Sequence, residues 1–285
     1  MNLLHALILG IVEGLTEFVP VSSTGHLILA GEFLGIAQDE RMAAALDAFD
    51  IVIQAGAWFA AVLYYGALLR RRIGALFADD VLEQALGMRL ALNLAVAFAP
   101  VVVVGLLARK AIKATLFGPA PVAVALVVGG IAMVAADKLW LRREGAKAAA
   151  IDDLNGITTR KALEIGLWQC LALVPGTSRS MATMLGGMRA GLSARVAADF
   201  SFLLAIPVLG AATFYELLKE WRVLIDGLGW AAIAVGLLAS FLVGWASIAV
   251  FLRIIVARGL APFGVYRVLL GALVWWVLVG REAVG

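Results

Sequence analysis

The stretch Glu13-Gly14-Leu15-Thr16-Glu17-Phe18-Val19-Pro20-Val21-Ser22-Ser23-Thr24-Gly25-His26-Leu27 interrupts an otherwise apolar run from residue 3 to residue 35. Two carboxylates, a proline, four hydroxyls and an imidazole stand where a membrane helix would carry only apolar side chains. Backbone that leaves a helix at membrane depth is tolerated only where protein buries it or water reaches it. The segment therefore reads as a re-entrant helix-loop-helix rather than as a continuous span. A second such region covers residues 161 to 190, broken by Pro175-Gly176-Thr177-Ser178-Arg179-Ser180.

The rest of the chain supplies the bilayer context. Of its 285 residues 63% are hydrophobic and 15% charged, against about 45–50% and about 25% in soluble domains, which excludes an ordinary soluble protein. The formal charge of +3 is small and dispersed, which excludes nucleic acid as a partner. A span needs about 20 apolar residues, and six stretches supply them: 48 to 69, 91 to 108, 119 to 140, 198 to 217, 229 to 252 and 260 to 280. The first apolar run lacks a basic leader and contains Glu13 and Glu17, so it is expected to remain in the mature protein. The lone Cys170 reads as core, His5 as interfacial, and Trp275 and Trp276 as interfacial anchors.

The two broken regions resemble each other. Ala6, Leu7, Gly10 and Leu15 match Ala162, Leu163, Gly166 and Leu171 at one offset, and Val19, Pro20 and Ser23 match Val174, Pro175 and Ser178 one residue out of that register. Each is followed by three spans, so the second half is expected upside down. The fold expectation is an all-α polytopic integral membrane protein forming one membrane domain over 1–285, with inverted-topology repeats at 1–141 and 142–285. On that topology fourteen basic residues fall on one side (Arg70, Arg71, Arg72, Arg89, Lys138, Arg142, Arg143, Lys147, Arg160, Lys161, Arg189, Arg195, Arg253, Arg258) and seven on the other (Arg41, Arg109, Lys110, Lys113, Lys219, Arg222, Arg281). The positive-inside rule places the former in the cytoplasm and both termini in the periplasm.

Glu13 and Glu17, at i and i+4, share a helix face and repel unless compensated. They suit a shared divalent cation or one carboxyl acting as acid or base. Ser22, Ser23 and Thr24 are ordinary N-caps, but Glu17 and His26 are the ionisable groups within eight residues of Ser23, as a serine nucleophile requires. Pro175 to Ser180 followed by Thr183 joins a tight turn, a helix start and a fixed cation, an anion-binding arrangement. Arg179 could equally pair with Glu13 or Glu17 for structural reasons alone. Gln54 and Arg267 are polar residues in apolar spans, and either could line the same cavity, with Arg267 equally able to snorkel.

These residues strongly resemble the bacterial undecaprenyl-diphosphate phosphatases of the bacitracin-resistance type. The matching text is Glu13 to Leu27, Val52 to Gly56 (VIQAG) and Gln169 to Thr183 (QCLALVPGTSRSMAT). Both signature elements, Glu-x-x-x-Glu and Pro-Gly-x-Ser-Arg-Ser-x-x-Thr, are complete. The resemblance implies an inner-membrane hydrolase that removes the terminal phosphate of a C55 isoprenyl diphosphate, recycling the lipid carrier of peptidoglycan synthesis. It also implies divalent-cation dependence (Mg²⁺ or Ca²⁺) and bacitracin tolerance on overproduction. Its functional positions fall on Glu13, Glu17, Ser23, His26, Ser178, Arg179 and Thr183.

The resulting expectation has Ser178, Arg179, Thr183 and the N–H groups after Gly176 hold the diphosphate, with the cation between it and Glu13 or Glu17. Ser23 attacks the terminal phosphorus, Glu17 or His26 takes the serine proton, and His26 serves the leaving group. A metal-activated water is the competing nucleophile. The active site is expected to open to the periplasm, and the oligomeric state, a homodimer included, stays open. The rival function is an inverted-repeat transporter or flippase of a lipid phosphate or other anion.

Overall fold

The computed structural model describes residues 1–36, 40–141 and 150–280. Arg142, Arg143, Lys147 and Arg281 lie outside them, as does the start of the second expected repeat. The chain is an all-α polytopic membrane protein. Its α-helices among the described residues are α1 (Leu3–Thr16), α2 (Ser23–Phe33), α3 (Glu40–Tyr64), α4 (Gly66–Ala75), α5 (Val81–Thr115), α6 (Pro119–Ala136), α7 (Thr159–Gln169), α8 (Arg179–Arg189), α9 (Ala194–Leu228), α10 (Trp230–Arg258) and α11 (Ala261–Val274).

Five helical segments among the described residues are long and apolar enough to cross a membrane: Val81–Ala108, Pro119–Trp140, Ala194–Tyr215, Trp230–Arg258 and Ala261–Val279. The sixth expected span, 48 to 69, is not straight. It breaks at Tyr65, where Ala48–Tyr64 and Gly66–Ala75 meet at 63°. Tyr65 donates to Asp199 Oδ1 at 2.6 Å, and Arg195 holds the other oxygen at 2.8 Å, so the corner is fastened to the start of α9. The expected span at 91 begins ten residues too late. Asp80 caps α5 by accepting from Leu82 and Glu83 N–H, and Glu83, Gln84 and Arg89 are carried within the helix. Cys170 is half-buried rather than core.

Both broken regions are helix, turn, helix. Thr16 closes α1 by donating back to Val12 O at 2.7 Å, and Pro20, lacking an N–H, prevents helical continuation. Ser22 then adopts φ 73°, and Ser178 in the second region φ 71°. Both lie in left-handed space that non-glycine residues rarely occupy. Each serine hydroxyl caps the helix it precedes, accepting from Gly25 N–H and from Met181 N–H respectively. The two caps, Ser22 and Ser178, are therefore the equivalent positions, rather than Ser23 and Ser178 as aligned prolines suggest. Ser23 and Arg179 each occupy the first residue of a half-helix.

Packing centres on a few helix pairs. α1 lies on α10 and α7 on α5, α3 packs on both α10 and α9, and α6 lies on α11. The first two contacts are close because glycine lines them. A Cβ on Gly10 would stand 2.5 Å from Gly236 O, and one on Gly166 2.5 Å from Ala97 O. Backbone cannot yield there as a side chain could, so Gly166→Ala is expected to lower stability by about 1–3 kcal/mol. Thermal unfolding in detergent checks this; an unchanged midpoint would mean the helices separate freely.

Candidate active site between the two broken turns

The two turns meet in the interior. Phe18, fully buried, packs edge-on against Phe202 of α9 with ring centroids 5.2 Å apart. Ser180 Oγ donates to Val19 O at 3.2 Å, and Ser247 of α10 to Leu15 O at 3.1 Å. Gly176, at φ 88°, lies so close to α6 that a Cβ would meet Val122 O at 2.7 Å. The fixed turns enclose a cavity of about 230 Å³ whose lining includes Glu17, Ser22, Ser23 and Thr24 from one side and Pro175, Gly176, Ser178 and Arg179 from the other. Gln54 and Gln169 complete its polar wall.

Glu17 is the centre of this arrangement. Its Oε2 accepts from Ser23 Oγ at 2.9 Å, and its Oε1 meets Arg179 Nη2 at 3.1 Å. The Glu17 and Arg179 side chains are only 7% and 9% exposed, so neither charge has water to replace its partner. Arg179 Nη1 donates to Ser201 O at 3.1 Å, while its buried Nε has no hydrogen-bond partner among the described residues. One carboxylate thus joins a hydroxyl and a guanidinium contributed by the two halves of the chain.

Glu13 is buried one turn earlier on α1, and its Oε2 finds no hydrogen-bond partner among the described residues. An orphaned carboxylate oxygen beside a second carboxylate suits a hard cation, and Mg²⁺ sites commonly combine one or two carboxylates with substrate phosphate oxygens. The two carboxylates are the oxygen donors available to the divalent ion that the resemblance implies, and no group of three or more His, Cys, Asp or Glu side chains that could hold a metal stands among the described residues.

Besides Glu13, which does not line the cavity, two more expected site residues lie elsewhere. Thr183 is buried behind Arg179, donating to Arg179 O at 2.8 Å and paired with Ser201 Oγ at 2.6 Å, and its hydroxyl does not line the cavity. His26 faces the opposite side of the first turn. Its Nδ1 lies 2.7 Å from Ser22 O and its Nε2 2.7 Å from Tyr266 Oη, with the two rings stacked. A carbonyl only accepts, so Nδ1 carries a proton, and both ring nitrogens are engaged away from Ser23. His26 and Tyr266 line a separate apolar groove of about 650 Å³ with Val12, Leu15, Val19, Val21 and Phe263.

A family profile described as bacitracin resistance protein BacA matches residues 6–273. The chain belongs to the bacitracin resistance protein BacA family. Similar proteins carry the name undecaprenyl-diphosphatase. The one from Sorangium cellulosum is 51% identical over 273 residues, 95% of this chain and 85% of that protein. That from Polaromonas naphthalenivorans is 47% identical over 95% of this chain and 94% of its own length. Undecaprenyl-diphosphatase 1 of Chromobacterium violaceum is 45% identical over 96% and 97%.

Several residues of this BacA-family site escaped the sequence reading. Gln169, fully buried with its amide donating to Ala97 O at 3.4 Å, stood inside the matching motif as one more polar residue. Ser201 and Tyr266 carry no local signal at all. Their partners lie 18 and 240 residues away.

Proposed function

We infer that this chain is an undecaprenyl-diphosphate phosphatase, cleaving the C55 isoprenyl diphosphate to the monophosphate and inorganic phosphate and so returning the lipid carrier to peptidoglycan synthesis. Family membership supports the activity, and the observation that carries the mechanism is Glu17 bonded at once to Ser23 and Arg179 across the cavity. Ser23 Oγ attacks the terminal phosphorus, Glu17 Oε2 receives the serine proton, and the bond from phosphorus to the bridging oxygen breaks. The leaving group is itself a phosphate, whose oxygen bears charge without needing a proton at neutral pH. Water then releases the phosphoryl group from Ser23.

Arg179, with its unused Nε, and the N–H groups at the start of α8 neutralise the diphosphate, because phosphoryl transfer depends chiefly on positioning and charge. Ser178 holds the turn and Thr183 positions Arg179 from behind. Glu13 and Glu17 are the groups that would hold Mg²⁺ or Ca²⁺, which supplies further neutralisation of phosphate charge. His26 and the apolar groove are the place for the isoprenyl tail. The first turn is the wall between them, with Ser23 facing the cavity and His26 the groove.

The matching contacts of α1 with α10 and of α7 with α5, the Gly10 and Gly166 approaches within them and the twin serine caps support inverted repeats at 1–141 and 142–285 with two re-entrant regions. Basic residues gather at one end, where Arg72 donates to Asn155, Arg89 to Ile157 O and Lys161 to Ala190 O. That end is read as cytoplasmic, with both termini and the cavity toward the periplasm of a bacterial inner membrane.

The test is phosphate release from undecaprenyl diphosphate by detergent-purified protein, followed by acid quench and search for phosphoserine. We expect release that chelator abolishes and Mg²⁺ or Ca²⁺ restores, with the label on Ser23. Release without label transfers the attack to water. No release from folded protein returns the weight to a transporter.

A further inference from the structure

Arg267 is the largest fully buried side chain of the described residues, at 0% exposure. It leaves α11 and passes α6 at Gly129, where a Cβ would stand 2.5 Å from its Nη2. All four of its hydrogen bonds go to main-chain carbonyls. Nε donates to Leu126 O at 3.4 Å, Nη2 to Ala125 O at 3.1 Å and to Gly176 O at 2.9 Å, and Nη1 to Pro20 O at 3.3 Å. No carboxylate pairs with it among the described residues. Burying a cation without a counter-charge is costly, so an arginine retained here answers to its neighbours' geometry.

Two of those carbonyls identify the role. Pro20 belongs to the first turn and Gly176 to the second, and each lies three residues before the helix start, Ser23 or Arg179. The planar guanidinium, with five donors in a fixed fork, spans both turns and anchors them to α6. Tyr266, its neighbour in sequence, holds His26 on the far side of the first turn.

We propose that Arg267 is a positioning residue that sets the separation of the two active-site turns, so that Ser23 and Arg179 meet the same phosphoryl group. The proposal rests on the site reading given above. It acts through the main chain and does not touch substrate. Misplacing one turn by about 1 Å leaves each half-site intact but out of line, a displacement that costs roughly 100-fold in rate.

The experiment compares steady-state kinetics of wild type, Arg267→Lys and Gly129→Ala in detergent, each with a thermal midpoint. Lysine keeps the charge but cannot reach both turns. Arg267→Lys is expected to lose about 100-fold in kcat, with KM within about threefold because the anion-binding turn survives. Gly129→Ala, which displaces the guanidinium without substituting any turn residue, is expected to lose about tenfold in the same pattern. If Arg267→Lys does not fold, Gly129→Ala decides alone. Wild-type kcat in a folded Arg267→Lys, or in Gly129→Ala, overturns the proposal, as does a loss confined to KM. Absence of turnover in folded wild type instead overturns the reading of the site itself.

Discussion

Glu17→Gln is expected to lower kcat by about 1,000-fold or more while leaving KM unchanged or smaller. Glutamine can still accept from Ser23 or face Arg179, so the turn keeps its shape. It cannot take the serine proton, a contribution of about 100- to 10,000-fold for a general base. It also releases Arg179 from its anionic partner at 3.1 Å, leaving that guanidinium more attractive to a diphosphate. A falling kcat with a steady or falling KM separates this role from simple binding, where KM alone would rise. A kcat within tenfold of wild type would remove Glu17 from proton transfer and return the choice to His26, despite the engagement of both its ring nitrogens.

Arg179→Ala is expected to abolish detectable turnover, a loss of at least about 1,000-fold, because donors preorganised in a water-poor site act on the charge of the transferring group. It has a second effect that a pure binding residue would lack. Glu17 is left as a buried carboxylate with Ser23 as its remaining side-chain partner, and breaking a buried pair by removing one member costs about 3–5 kcal/mol of stability. Adding Glu17→Gln to Arg179→Ala should therefore recover part of the lost stability, although no activity returns. Thermal midpoints of the four corners of this cycle measure the coupling. Strict additivity would mean the pair at 3.1 Å contributes nothing beyond its separate members.

The membrane class, the approximate spans and most polar residues of the candidate cavity were legible because they depend on local composition. Apolar runs announce helices, and a proline beside hydroxyls announces their interruption. What escaped was decided by partners far along the chain. The corner at Tyr65 looks like continuous helix until Asp199, 134 residues on, is seen to accept its hydroxyl. The prolines of the two turns suggested that Ser23 and Ser178 correspond, yet the backbone at Ser22 and Ser178 shows that the caps correspond instead. By that count Ser23 and Arg179 each open a half-helix, the proposed nucleophile on one and the cation on the other. Arg267 was readable as a polar residue in a span, but its acceptors are carbonyls, which every residue possesses and no sequence pattern marks. His26 drew attention as an acid or base, and the phenol that occupies it is 240 residues distant.

The bond between Glu17 and Arg179 joins positions 162 residues apart, which gives the site a history as well as a geometry. At about 5–20 residues per second of synthesis, the carboxylates leave the ribosome roughly 10–30 seconds before their cation exists. During that interval the nascent amino-terminal half must keep Glu13 and Glu17 in water, against a partner in the insertion machinery, or protonated. The first turn reaches its final packing only once the second half is present, because Arg179, Phe202 and Ser247 all lie in that half. Assembly of the catalytic centre and completion of membrane insertion are thus one late event, and a chain arrested before residue 179 is both unfinished and chemically silent.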